Sequence, residues 1–317
     1  MTRTCVAVGL GEVLWDLLPA GKELGGAPAN FAYGMGLLGH RGVVASRAGD
    51  DRLGAELRAR LAQLGLDASR VQTDAAHATG TVRVRLDRDG QPEYEITEGA
   101  AWDFLEWTRA WQKLAAEADA VCFGSLAQRS AQSRATLRQF VAAARRTALR
   151  IFDVNLRQRF FSAEVLTISL RLANVAKLNE HELPVVMSEL GLPFDHKDQA
   201  SAAGLLRRAF NLKLVCVTRG ERGSLLVTEN DRDEHPGFSA RVADSVGAGD
   251  AFTAALAHHM LAGSSLRVMN AAANRMGAWV ASQSGATPAA DSGVIGSVKE
   301  PYRRGAENAE KPNYGPR

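Results

Sequence analysis

Between residues 244 and 250 the chain reads Asp244-Ser245-Val246-Gly247-Ala248-Gly249-Asp250, and an alanine-rich stretch, Ala251-Phe252-Thr253-Ala254-Ala255-Leu256-Ala257, follows at once. Gly247, Ala248 and Gly249 leave the backbone almost without side-chain cover just where a helix is predicted to begin. The first N–H groups of a helix have no partner inside it, and the aligned peptide dipoles place about half a positive charge there. Such a turn suits a phosphate, or the negative charge that develops while a phosphoryl group is transferred. Asp250 ends the turn, where its carboxylate could take the proton of an attacking hydroxyl. A positioned general base contributes about 10²–10⁴-fold to a rate. A simple helix cap is the plainer alternative for Asp250.

A second segment, Gly25-Gly26-Ala27-Pro28-Ala29-Asn30, also sets glycines before a predicted helix, with proline near its favoured first position. Gly25 and Gly26 would let backbone approach a ligand closely, and Asn30 can both donate and accept hydrogen bonds. Taken alone, this segment reads equally as a turn followed by a capped helix.

The elements that must carry these segments follow from hydrophobic patterning. Short apolar runs at Cys5–Val8, Val43–Ser46, Ala120–Phe123, Arg150–Val154, Val175–Leu178 and Lys213–Thr218 predict buried strands. Helical patterns lie near Pro28–Leu38, Arg52–Leu64, Ser133–Arg145, Glu164–Ala173 and Ala200–Phe210, then at Gly247–Leu261 and Leu266–Ser282. Strands alternating with helices indicate an α/β fold with a mainly parallel central sheet. One stretch departs from the rhythm. Residues 81–86 alternate apolar and polar, an Asp89-Gly90 turn follows, and Pro92-Glu93-Tyr94-Glu95-Ile96 completes a half-exposed hairpin. With the alternating Glu12–Leu18 it could form a small β-sheet lid drawn from about residues 11–20 and 79–100; an edge hairpin of the main sheet is the alternative. Beyond Ala289 periodicity fades, so residues 1–290 read as the folded domain and 291–317 as a flexible tail.

Composition narrows the field. Apolar residues make up 46% of the 317 positions and charged residues 23%, as in ordinary globular chains. Thirty-eight Lys and Arg against 35 Asp and Glu give +3, too balanced for a nucleic-acid footprint. No apolar run reaches the roughly 18 residues of a membrane-spanning helix, and the start of the chain lacks a signal-peptide layout. The three cysteines (Cys5, Cys122, Cys216) sit in apolar runs and read as buried thiols of a reducing, cytoplasmic protein.

Taken in order, these segments resemble the signatures of the PfkB, or ribokinase-like, carbohydrate kinases over roughly residues 5–290. The first signature matches Gly25-Gly26-x-x-x-Asn30 and continues to Gly39 and Gly49-Asp50-Asp51-x-x-Gly54; the second matches Asp244 through Asp250. Asn179-x-x-Glu182 stands between them, Thr218-x-Gly220-x-x-Gly223 resembles a nucleotide-binding turn, and Gly285-Ala286-x-Pro288 a closing loop. The resemblance implies a ribokinase-like three-layer sandwich with a lid, acting on ATP with Mg²⁺. It implies that Asp250 is the catalytic base, with Gly247, Ala248 and Gly249 as the anion hole. Asn179 and Glu182 would organise phosphates and hydrated Mg²⁺, while Thr218, Gly220, Gly223 and Asn274 would flank the nucleotide. Asp16, Gly26 and Asn30 would hold the sugar. Asp244, Val246 and Gly285 would carry a monovalent cation such as K⁺.

Asp153-Val154-Asn155-Leu156-Arg157 resembles a segment shared by fructokinases and 2-keto-3-deoxygluconate kinases, in which Arg157 would meet a ketose hydroxyl or a sugar-acid carboxylate. The Glu-x-x-x-Asp-x-x-Pro opening around Asp16 leans toward fructose, whereas Arg83 and Arg85 would suit an acidic substrate. Ribose, a nucleoside, and a non-catalytic sensor on the same fold stay open. His181, His258 and His259 do not read as metal ligands, and Trp102, Trp107 and Trp111 read as core packing. Exposed apolar residues on a lid would favour a homodimer formed through it.

Overall fold

Alternation of inward and outward side chains along short apolar strands lets one sheet bury both of its faces. The computed structural model describes residues 3–19, 21–86, 92–195 and 197–300, side chains at 84–86 and 92–94 excepted. Its strands are β1 Val6–Leu10, β2 Leu14–Leu18, β3 Gly21–Gly25, β4 Arg41–Gly49, β5 Val71–Asp74, β6 Gly80–Leu86, β7 Pro92–Ile96, β8 Ala120–Phe123, β9 Leu149–Asp153, β10 Val175–Asn179, β11 Leu214–Thr218, β12 Ser224–Val227 and β13 Arg232–His235. Its helices are α1 Ala27–Leu37, α2 Arg52–Gln63, α3 Arg109–Glu117, α4 Ala131–Ala143, α5 Ala163–Leu172, α6 Glu182–Glu189, α7 Gln199–Phe210, α8 Ala248–Leu261, α9 Leu266–Ala281 and α10 Ser292–Lys299.

Nine strands form the central sheet in the order β13-β12-β11-β10-β9-β8-β1-β4-β5, parallel except where β12 and β13 turn back. Along β8, Val121 and Phe123 point into one core with Leu114 of α3, Phe140 of α4, Leu166 of α5 and Leu206 of α7. Ala120 and Cys122 point into the other, with Phe31 of α1, Leu256 of α8 and Trp279 of α9. Helices therefore cover both faces, giving the three-layer α/β sandwich expected.

The alternating segments form a separate sheet in the order β3-β2-β6-β7, so the edge-hairpin alternative is excluded. β3 was not foreseen; it runs straight into the Gly25-Gly26 turn and pairs Asp16 with Glu23 and Leu14 with Gly25. The Asp89-Gly90 turn and the Arg85 side chain lie outside the described residues, and Arg83 is exposed. Trp15 and Leu24 of this sheet pack with Leu57 and Leu61 of α2, and Trp15 Nε1 donates to the Leu53 carbonyl at 3.0 Å. Among the described lid residues no large apolar side chain is exposed.

Other expectations are corrected. The tail does not begin at 291: α10 is capped by Asp291, and its Val294, Ile295 and Val298 are buried on the α1, α8 and α9 side of the sheet. Residues 301–317 lie outside the described residues. Cys5 is half-buried just before β1, whereas Cys122 and Cys216 are buried. Trp102 and Trp111 are buried in the core as expected, and Trp107, in the stretch before α3, packs edge-on against Phe140 at the margin of the same core.

Candidate active site

Parallel strands carry their ligands at their carboxyl ends, where the following loops converge. Gly247 adopts a left-handed conformation (φ 77°) as the residue that starts α8, and a Cβ there would lie 2.5 Å from the Ala286 Cβ. Glycine is required on both counts. A Cβ on Gly249 would stand 3.0 Å from Lys177 Nζ, so a bare backbone also lets a cation approach from below. No side chain caps α8, and Asp250 faces Asn30 instead: Asn30 Nδ2 donates to Asp250 Oδ2 at 2.9 Å. That single bond joins segments 220 positions apart and discards the helix-cap reading of Asp250.

Gly26, at φ 110°, opens α1, and a Cβ on it would fall 2.7 Å from the Glu12 carbonyl oxygen. The first signature is thereby pressed against the loop that leaves β1. Asn30 is buried, and its Oδ1 has no hydrogen-bond partner. Glu12 is also buried, with Oε2 unpartnered. The sequence offered Glu12 only as the first position of the Glu-x-x-x-Asp-x-x-Pro opening, with no role of its own; its burial singles it out.

The electrostatics separate the carboxylates from ordinary ones. Burial raises Asp250 to about 6; Asp153 adds to the rise, while the Asn30 bond, Lys177 and Arg157 oppose it. Burial likewise raises Asp16 to about 6, with Arg157 opposing and Glu23 and Asp244 adding. Arg157 is exposed and lowers Glu12, Asp16 and Asp250 together, so its charge reaches all three carboxyl groups. It follows Asn155, whose left-handed backbone (φ 40°) turns the chain sharply after β9.

Beneath the glycine turn lies a pair that sequence reading did not single out. Lys177 Nζ and Asp153 Oδ1 are 3.1 Å apart with side chains 9% and 4% exposed, and Thr253 Oγ1 donates to Asp153 Oδ2 at 3.1 Å. Burial opposes the charge on Lys177, but Asp153, Glu182 and Asp250 hold it above its ordinary range. Only tertiary structure brings β9, β10 and α8 together here.

The expected nucleotide residues gather at the neighbouring strand ends. Asn179 and Thr218 are register partners of β10 and β11, and Glu180 N donates to the Thr218 carbonyl. Asn179 Oδ1 accepts from His181 N and Glu182 N, while Glu182 returns by accepting from Asn179 N at 2.8 Å and, through Oε1, from Leu156 N at 2.9 Å. This is a reciprocal cap at the start of α6. Each Glu182 oxygen keeps a free lone pair, which suits contact with a hydrated Mg²⁺ through water. Gly220 and Gly223 have φ 58° and 78°, and Arg219 N donates to the Gly223 carbonyl, closing a tight turn. Asn274 Nδ2 is engaged by Ser224 Oγ at 2.7 Å and by Asn270, so it supports this turn from behind through a buried network.

Asp244 Oδ1 accepts from Val246 N and Oδ2 from Gly285 N, so the three residues expected at a monovalent-cation site form one knot. Tyr33 Oη donates to the Pro288 carbonyl at 2.6 Å, fastening the closing loop to α1. Gly49, Asp51 and Gly54 lie elsewhere: Asp51 caps α2 and accepts from Thr79 N, anchoring the base of the lid. The histidines are structural. His258 Nδ1 is 2.8 Å from His40 Nε2, His259 Nε2 reaches the Val298 carbonyl, and His181 is exposed.

A family model for pfkB family carbohydrate kinases matches residues 19–292. A fructokinase of Klebsiella pneumoniae is 32% identical over 259 residues, 78% of this chain and 81% of that protein. Among solved structures, a Vibrio cholerae fructokinase double mutant in fructose-, ADP- and potassium-bound form is similar at TM-score 0.76 and 25% identity, over 94% of this chain and 99% of the other. A putative ribokinase II of E. coli, 19% identical with TM-score 0.80 over 93% and 99% of the two chains, shares the fold. No helix among the described residues is long and apolar enough to cross a membrane.

Proposed function

The chain belongs to the pfkB family of carbohydrate kinases and is a sugar kinase; within that class we propose that it transfers the γ-phosphoryl group of ATP to a hydroxyl of fructose. The observation that carries this reading is the Asn30–Asp250 hydrogen bond, which sets the carboxylate at the mouth of the bare-backbone turn and beside the first glycine signature.

Phosphoryl transfer needs alignment and charge neutralisation more than covalent help. In this reading Asp250, oriented by Asn30, accepts the hydroxyl proton as the sugar oxygen attacks the γ-phosphorus. The bond from that phosphorus to the β,γ-bridging oxygen breaks, and ADP leaves. First-turn N–H groups at Gly247, Ala248 and Gly249 meet the charge gathering on the transferred group, with Lys177 adding positive charge below. Bound Mg²⁺ would neutralise phosphate charge; Glu182 is the residue that would hold it, through water. Thr218, Gly220 and Gly223 form the turn against which the nucleotide would lie, supported by Asn274. Asp244, Val246 and Gly285 are the residues that would hold K⁺.

Fructose is favoured over a sugar acid by charge. Asp16 and Asp250 already share Arg157, so a substrate carboxylate entering here would meet two ionised acids for one exposed cation. Named relatives point the same way: the Klebsiella protein is a fructokinase, and the Vibrio structure holds fructose. The test is an ADP-release assay with Mg²⁺ and K⁺ over fructose, ribose, 2-keto-3-deoxygluconate, tagatose and adenosine. Fructose should give the highest kcat/KM. A higher value for any other member would overturn the substrate assignment and leave the sugar-kinase class in place.

A further inference from the structure

We propose that Glu12 is a positioning residue for the base: its carboxyl, held neutral, donates a hydrogen bond to Asn30 Oδ1 and thereby fixes the Asn30 amide with Nδ2 toward Asp250. The inference rests on the reading of Asp250 as the base and deepens it.

Two buried polar atoms beside the catalytic centre lack partners, Glu12 Oε2 and Asn30 Oδ1. A buried acceptor left unpaired is disfavoured, and two acceptors cannot satisfy one another while both are proton-free. One proton on Oε2 satisfies both. Both side chains lie at the start of α1. The backbone N–H of Ala27 favours the charged form of the Glu12 carboxyl, which places that carboxyl at the first turn of α1. Asn30 lies three positions further along the same helix face, and helical side chains lean back toward the N-terminus. Its amide is thus directed back toward the turn against which Glu12 sits. Gly26 has no side chain to intervene, its missing Cβ being where the Glu12 backbone passes.

The amide has two faces, and its orientation matters. With Oδ1 occupied by a donor, Nδ2 must face Asp250, as the 2.9 Å bond requires. Bonding Asp250 through Oδ2 leaves Oδ1 as the oxygen that takes the hydroxyl proton. An ionised Glu12 would present a second acceptor to Asn30 Oδ1 and favour the flipped amide, which would aim a carbonyl oxygen at the carboxylate of Asp250. The surroundings support a neutral Glu12. Burial raises it to about 7 and Asp250 from α8 adds to this, against its own and the Ala27 backbone N–H groups and Arg157 from the β9 loop. Asp250 in turn faces Asp153 of β9 and Lys177 of β10.

The experiment measures kcat/KM for the sugar from pH 5.5 to 9.5 in the full-length enzyme, the parameter that reports groups of the free protein. In the wild type an acid limb from Asp250 should be followed by an alkaline limb, falling up to about tenfold per pH unit as Glu12 ionises. Glu12→Gln carries a permanent N–H donor in the same shape, so it should retain activity at pH 7 and lose the alkaline limb. Glu12→Leu, which cannot donate, should lose at least about tenfold in kcat at pH 7; circular dichroism and urea unfolding establish that each variant is folded. An alkaline limb persisting in Glu12→Gln, or Glu12→Gln as inactive at pH 7 as Glu12→Leu, overturns the proposal. Asp250→Asn separates the two levels. If it stays fully active, the assignment of the base fails, and this inference with it. If it is inactive while Glu12→Gln keeps the limb, only the role of Glu12 falls.

Discussion

Asp250→Asn should move activity and stability in opposite directions. Asparagine keeps the shape and can still accept from Asn30, but it cannot hold the hydroxyl proton, so kcat should fall about 10²–10⁴-fold. The stability effect follows from the carboxyl's titration. Its value rises from 3.8 in an exposed setting to about 6 in the folded chain, chiefly because burial disfavours its charge. The folded protein therefore binds this proton more tightly than the unfolded chain. The resulting stabilisation is complete below pH 3.8 and is lost as pH rises through 6, leaving the ionised group as a liability of up to about 3 kcal/mol at pH 8. Removing the charge should make Asp250→Asn more stable than wild type by about 1–3 kcal/mol at pH 8, with most of that gain gone near pH 4.5. Urea unfolding at the two pH values, read beside ADP release at pH 8, measures both effects. A gain equal at both pH values would refute the burial argument, and turnover within tenfold of wild type would refute the role as base.

Two further outcomes test the surroundings of that carboxylate. Lys177→Met leaves Asp153 buried without its partner and should destabilise the fold by about 3–5 kcal/mol; adding Asp153→Asn should recover a large part of this, and strictly additive urea midpoints would show the pair uncoupled. Arg157→Ala removes the charge that lowers Glu12, Asp16 and Asp250 together, so the acid limb of kcat/KM should move to higher pH and the KM for the sugar should rise. An unchanged limb and KM would return Arg157 to the role of a surface charge.

Much of the strand-end region that carries these residues was legible in this chain before any coordinates. Ala120–Phe123 was read to the residue, because four consecutive apolar positions buried on both faces admit little else. The starts of α1 and α8 were legible because glycine, alanine and proline in sequence restrict the backbone locally. The short β5, β12 and β13 were not, since four residues each carry too little periodicity to stand out. Helix α10 was missed because its apolar positions, Val294, Ile295 and Val298, are spaced among small and charged residues.

Local chemistry, then, belongs to the sequence by itself: which turns are bare, which helices follow them, and which aspartate ends the second glycine run. These depend on residues within a few positions of one another. What only the tertiary structure decided is who meets whom and how wet the meeting place is. Asn30 reaches Asp250, Lys177 rises beneath Gly249 against Asp153, and Glu12 closes over the start of α1 with an oxygen still wanting a partner. Burial and pairing between distant segments are set by the packing of the whole sheet, and those two quantities turn ordinary carboxyl groups into ones that titrate near neutrality.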